Sequence, residues 1–275
     1  MLFIMPNDVA VSDKKAKNAE EPAEDFDLSD YSSGDTDDVS EEILLEMIKA
    51  GLWYGRNRTK THPKMRPYIF TNRTGIEIID IAKTSQALDA ALEFLKGVVL
   101  KGGRVLFVGT QPSAKHRIEE ITKKFKQPFV VNRWLGGTLT NFATLSKRVD
   151  HFKKLKTDRA SGALAKYTKK EQSDFKKEID RLATLFTGVE EMNKLPEAIF
   201  LVNSNIHETA VREANKMKIP VVGVISTDTD PDFIQYPVPA NNSAPSSVNW
   251  ILDKVDRALT EAMSVAATGA VETVK

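Results

Sequence analysis

The sequence predicts an α/β protein: a doubly wound parallel sheet with an inserted antiparallel coiled-coil helical hairpin, behind a disordered acidic arm. Three observations carry this. Short apolar runs alternate with helical patterns between residues 84 and 260, as expected of strands buried on both faces by crossover helices. From 142 to 192 the alternation gives way to a long basic stretch with apolar residues every three or four positions. Residues 1–42 hold thirteen acids against three lysines, a net charge of −10, whereas 43–275 carry +11. The expected division is an arm over 1–40, an α/β domain over 41–141 and 194–262, a hairpin over 142–193 and a flexible tail over 263–275.

Each element follows from its residues. The arm is poor in large apolar side chains and cannot bury enough surface to offset ordering entropy. Ser40 opens a short amphipathic helix, with Glu41 and Glu42 at its positive end, Ile43, Leu44, Met47 and Ile48 on its apolar side, and Gly51 as its stop. Residues 68–70 and 75–80 read as two strands around a turn over 71–74. Thr84 begins a helix to about 100, with Leu88, Leu92, Leu95 and Val99 inward. Residues 104–110 form a buried strand, 112–126 a helix and 128–131 the next strand. Phe142, Leu145, Val149, Phe152 and Leu155 are answered on the return by Phe175, Ile179, Leu182, Phe186 and Val189, so two helices linked over 157–174 form the hairpin. Residues 198–202 and 219–225 are buried strands, and 207–217 is the helix between them, with Ala210, Val211 and Ala214 inward. Residues 227–231 and 237–245 read as irregular. Ser246 or Ser247 caps a last helix carrying Val248, Ile251, Leu252, Val255 and Leu259.

Composition narrows the function. Without cysteine there are no disulfides, thiolate metal sites or cysteine nucleophiles. His62, His116, His151 and His207 show no ligand spacing, so neither a metal nor a cofactor is expected. No apolar run approaches the ~20 residues that span a bilayer, and the opening MLFIM lacks a basic flank. A cytoplasmic protein without a membrane partner is expected. GxGxxG, GxxxxGK[ST] and GxSxG are all absent. A doubly wound sheet places ligands at its strand ends, here the loops 109–113, 203–205 and 226–230. Asp228, Asp230 and Asp232 read as turn residues. A nucleotide- or phosphometabolite-binding enzyme is the alternative function, and it rests on fold analogy alone.

Three stretches bear on binding. From Lys49 to Arg73 there is no acid; Arg56, Arg58, Lys60, Lys64, Arg66 and Arg73 interleave with Trp53, Tyr54, Tyr68 and Phe70. Guanidinium groups pair with phosphates and flat rings stack on exposed bases, so this run suits RNA; a solvated basic loop is the plainer reading. The corner 132–142, NRWLGGTLTNF, joins strand to hairpin. Trp134, Gly136 and Gly137 serve it as plug and turn, and Thr138, Thr140 and Asn141 can cap the helix that follows. Lys147 and Arg148 begin a hairpin face with twelve Lys or Arg against six acids up to Arg181, either a solvated face or a second RNA or protein contact. The arm is either a solubilising tail or an anionic screen for the basic run.

GLWYGRNRTKTHPKMRPYIFTNRTGIEIIDIAKT, LFVGTQPSA, NRWLGGTLTNF, LPEAIFLVNSN and EANKMKIPVVGVISTDTDPDFIQYPVPAN resemble, in order and spacing, the bacterial small-subunit ribosomal protein S-two family over about residues 41–260. The resemblance implies a Rossmann-like or flavodoxin-like three-layer α/β/α domain with a protruding coiled-coil hairpin. It implies a structural, non-enzymatic protein at the head–body junction, contacting small-subunit ribosomal RNA, other small-subunit proteins and the OB-fold protein S-one. It assigns RNA contact to Arg56, Arg58, Lys60, Lys64 and Arg66, and places Arg133, Trp134, Gly136, Gly137, Thr138 and Asn141 in the corner, with Arg133 and the threonines near RNA. The chain departs from the family where Trp53 and Arg56 replace two usual histidines, so no metal role carries over. Pro239-Ala-Asn-Asn-Ser-Ala244 also lacks the two acids of the family's PGNDDA.

Overall fold

The computed structural model describes residues 40–272. The acidic arm, apart from Ser40, and the last three residues lie outside the described residues. Helix α1 (Glu41–Lys49) buries Leu44 and Met47. Ser40 holds its N-cap position without a side-chain bond; its carbonyl accepts from Ile43 N at 3.0 Å. The helix ends in a Schellman turn: Gly51 takes φ +73, its N–H reaching Ile48 O and that of Leu52 reaching Met47 O.

Strands β1 (Tyr54–Asn57), β2 (Ile69–Arg73) and β3 (Ile76–Ile79) form a small antiparallel sheet in the order β1-β3-β2. β1 is a strand within a run that reads as irregular from sequence. The expected turn over 71–74 shrinks to Thr74 and Gly75, at φ 49 and 85, which pairs Arg73 with Ile76 and returns 71–73 to β2. Two positive φ values match the right-handed strand twist and give a tight hairpin. Helix α2 (Ile81–Leu100) starts three residues earlier than the sequence indicates, because Asp80 is its cap: Oδ1 accepts from Ala82 N and Lys83 N at 3.1 and 3.3 Å. Thr84 lies buried inside the first turn, donating to Pro239 O at 2.6 Å.

The main sheet is parallel throughout. Strands β4 (Val105–Val108), β5 (Phe129–Val130), β6 (Ala198–Val202), β7 (Val221–Ile225) and β8 (Tyr236–Pro239) lie in the order β5-β4-β6-β7-β8, with Val105 opposite Ala198, Ile199 opposite Val221 and Val224 opposite Val238. This is the flavodoxin-like order, with its switch point between β4 and β6. β8 corrects the irregular reading at 237–239, while 240–244 form no helix or strand. Prolines argue against a central strand, but an edge strand tolerates them, and β8 is the edge. Helices α3 (Pro112–Phe125), α6 (Glu208–Lys216) and α7 (Pro245–Glu272) complete the layers with α2.

Side chains alternate across the sheet. Leu106, Val108, Ile199 and Leu201 join one apolar cluster with Val211 and Ala214 of α6. The alternate residues, among them Phe107 and Phe200 with ring centroids 5.4 Å apart, face the opposite layer, where α7 packs against α2 and α3.

Helices α4 (Phe142–Ala160) and α5 (Lys169–Phe186) run antiparallel, joined by a link over 161–168 that is shorter than the expected 157–174. A Thr168–Glu171 capping box starts α5. Leu145, Val149, Phe152, Leu155, Ile179 and Phe186 form the buried stripe, and they belong to the same cluster as the sheet residues, with Val189 and Met192. The base of the pair is also bonded to the sheet edge: Asn132 Nδ2 donates to Thr184 O at 2.7 Å, and Gly188 lies so close to Phe129 O that a Cβ there would sit 2.1 Å from it.

Candidate nucleic-acid interface

Because all five main strands run one way, their carboxyl ends share one edge, and the basic run is fastened there. Arg56 of β1 donates through its backbone N to Thr227 Oγ1 at 2.8 Å, and through Nη2 to Asn242 Oδ1 and Ser243 Oγ at 3.2 and 2.7 Å. Its Nε lies 3.7 Å from Asp228 Oδ2. Gly55 beside it must be glycine, since a Cβ would sit 2.5 Å from Glu77 O and 2.8 Å from Thr227 Cγ2. His62 N donates to Thr227 O at 2.8 Å. Lys64 Nζ lies 2.5 Å from Asp232 and 2.9 Å from Asp230. Its bond to Asp232 and then that to Asp230 hold its pKa above the ordinary lysine value. The aspartates read as turn residues are thus also counter-ions, and Asp230 further accepts from Asp232 N at 3.1 Å. Among the described residues no group of three or more His, Cys, Asp or Glu side chains could hold a metal ion.

The remaining cations differ. Arg58, Lys60, Arg66 and Arg73 are exposed. Arg58, Lys60 and Arg66 have no side-chain partner among the described residues. Phe70 on β2 is 44% exposed, a large ring displayed beside this charge.

The corner is organised by a residue that local sequence does not single out. Glu213 of α6 is 7% exposed. Its Oε1 accepts from Trp134 Nε1 at 3.1 Å and Gly137 N at 2.8 Å; its Oε2 accepts from Leu139 N at 3.0 Å and from Thr140 N and Oγ1 at 3.2 and 3.1 Å. Burial opposes the charged form, but the N–H groups of Gly137, Leu139, Trp134 and Thr140 outweigh it and hold the pKa below the ordinary glutamate value. This replaces the expected capping by Thr138, Thr140 and Asn141. Thr138 is buried and donates to Leu135 O at 2.6 Å, Thr140 donates to Glu213, and Asn141 sits at the N-cap of α4 with no side-chain cap bond. Trp134 packs against the apolar cluster, and Gly137 takes φ +88. Arg133 and Gly136 are exposed, and Arg133 has no described side-chain partner. A signal for Glu213 exists: it stands three residues after Ala210 and next to Ala214, on the inward stripe of its helix.

The strand-end loops are bound to one another. Thr110 N donates to His207 Nε2 at 3.3 Å across the switch point, and His207 is 2% exposed. Burial pushes its pKa down to about 4. Asn205 Nδ2 donates to Asp228 O and Thr229 Oγ1 to Asn205 Oδ1, at 3.2 and 3.1 Å. On α4, Lys147 and Arg148 are exposed without described side-chain partners, whereas Lys156 pairs with Glu190 at 3.0 Å.

Fold and site define a class: a three-layer α/β protein whose switch-point loops are bridged by its own residues and whose basic run displays unpaired cations. The sequence profile of ribosomal protein S2 matches residues 47–262. The chain is 40% identical to small ribosomal subunit protein uS2 of Fusobacterium nucleatum, over 79% of its own length and 89% of that protein. It is 43% identical to uS2 of Roseiflexus castenholzii, over 81% and 84%, and 41% identical to uS2 of Chloroflexus aggregans, over 80% and 92%. The chain belongs to the ribosomal protein S2 family. None of the described helices is long and apolar enough to cross a membrane.

Proposed function

We propose that this chain is a cytoplasmic structural constituent of the small ribosomal subunit, without enzymatic activity, that binds small-subunit rRNA at the head–body junction and supports translation. One observation carries the RNA contact: Arg58, Lys60 and Arg66 stand exposed and unpaired in a stretch with no acid. Arg56 and Lys64 support that surface from beneath, and Arg73, Arg133, Thr140, Lys147 and Arg148 extend it. The finer architecture that goes with this reading is an inserted coiled-coil hairpin giving a second contact, and docking of the OB-fold protein S-one. The relatives' names support the small-subunit assignment, and the sequence resemblance supports the hairpin and the S-one contact.

The test is the salt dependence of binding to a small-subunit rRNA fragment. Replacing Arg58, Lys60 and Arg66 together by Gln lowers the log–log slope by roughly 2, at about 0.7–0.9 for each phosphate no longer neutralised, with the fold retained. An unchanged slope refutes the assignment.

A further inference from the structure

The observation is a largely buried glutamate whose carboxylate has no bonded donor. Glu77 lies on β3, the central strand of the small sheet, and is 7% exposed. No side chain or backbone donor among the described residues is bonded to its carboxylate. Its oxygens are not sealed off, however, because Glu77 lines an open groove of about 510 Å³ with Arg58, Arg66, Ile69, Thr71 and Asn72. That volume falls within the range of small-ligand sites.

We infer that this groove seats one unpaired guanine nucleotide of the bound RNA. The inference rests on the RNA-binding reading above and names what that surface recognises. An ionised carboxylate only accepts, so the visitor must donate. A lysine or arginine from a protein partner would have to pass Arg58 and Arg66, which line the groove from an acid-free run, and like charges at short range repel. The visitor that fits is neutral at its donating edge and anionic on its carrier chain. A nucleotide is built that way. Among the bases, guanine presents two adjacent donors, N1–H and the N2 amino group, which match the two oxygens of one carboxylate. Adenine and cytosine present one amino group beside an acceptor, and uracil one N–H between two carbonyls. Using that edge requires the base to be unpaired, the usual state of sequence-read RNA. The flanking phosphates then meet Arg58 and Arg66, and Ile69 offers the base an apolar wall.

The experiment uses the full chain and twelve-nucleotide uridine strands carrying one central guanine, adenine or inosine. Inosine keeps N1–H and lacks the N2 amino group. The wild-type protein binds the guanine strand about tenfold or more tighter than the adenine strand, the scale of one bidentate base contact, with inosine between. Glu77→Gln brings the three within twofold while the salt slope is kept. Equal affinity for guanine and adenine in the wild type overturns the inference, with no variant needed, as does a guanine preference that survives Glu77→Gln. Tighter binding of a hexa-arginine peptide, abolished by Glu77→Gln, overturns it in favour of a protein partner. Absence of salt-dependent binding to any strand and to small-subunit rRNA overturns the RNA-binding reading itself, which separates that failure from this one.

Discussion

Replacing Glu213 by alanine tests whether one side chain of α6 holds the corner together. The substitution withdraws the acceptor from Trp134 Nε1, Gly137 N, Leu139 N and both donors of Thr140. Thr140 is exposed, so water restores its bonds. Leu139 is buried, while Gly137 and Trp134 are half-buried, and an unsatisfied buried donor costs ~1–3 kcal/mol. The sum, reduced for partial water access, is about 3–5 kcal/mol. Urea unfolding followed by circular dichroism measures it as a lower midpoint at unchanged slope. Acid gives a second readout. The folded pKa of Glu213 is depressed, so its contribution is present above the unfolded glutamate value, near 4.3, and is lost as pH falls through the folded one. The gap between wild type and Glu213→Ala therefore narrows below about pH 4.3. A loss under about 1 kcal/mol at pH 7, or a gap that is constant down to pH 3, refutes the reasoning.

Other expectations follow from the same geometry. His207 has a folded pKa of about 4 against an ordinary 6.5; the unfolded chain binds the extra proton between these values, so stability is full above pH 6.5 and falls by ~3 kcal/mol towards pH 4. A His207→Gln variant whose stability declines as steeply over that window refutes the assignment. Gly188→Ala forces a Cβ against Phe129 O and costs about 1–3 kcal/mol or more by thermal unfolding; a melting temperature within a degree of wild type counts against that close approach. Removing 153–178 behind a short linker leaves the α/β domain folded, whereas removing 143–192 also strips Leu145, Phe186, Val189 and Met192 from the sheet's cluster and unfolds it. Equal circular dichroism spectra for the two deletions contradict the shared cluster.

Local pattern makes most of the fold legible. The runs at 105–108, 198–202 and 221–225 are apolar at every position but one glycine, as strands covered on both faces must be, and the stripe of α4 and α5 follows its three- and four-residue steps. What is not legible depends on contacts distant in sequence. β8 carries prolines that argue against a strand until β7 places it at an edge. β1 pairs with β3 across about twenty residues, and its tyrosine, glycine, arginine and asparagine spell no alternation. Asp80 looks like half of an ion pair with Lys83, which it is at 3.3 Å, but its larger role is the α2 cap. The corner's glycines and tryptophan are evident as a turn and a plug. The carboxylate that binds them comes from 73 to 79 residues further on, where local spacing marks a buried position without naming its partner. The basic run declares its charge, while the division into fastened and unpaired cations needs Asp228, Asp230, Asp232 and Asn242 in space.

That fastening changes when conformational freedom is given up. A free cationic chain forfeits roughly 1–2 kcal/mol of backbone entropy per residue as it settles on a ligand. Here Arg56, His62 and Lys64 secure the segment to the loops that follow β7 and β8, so most of that ordering has already occurred when the protein folds. A partner then meets a prearranged set of donors, and its encounter rate is governed by diffusion and charge steering rather than by waiting for a loop to order.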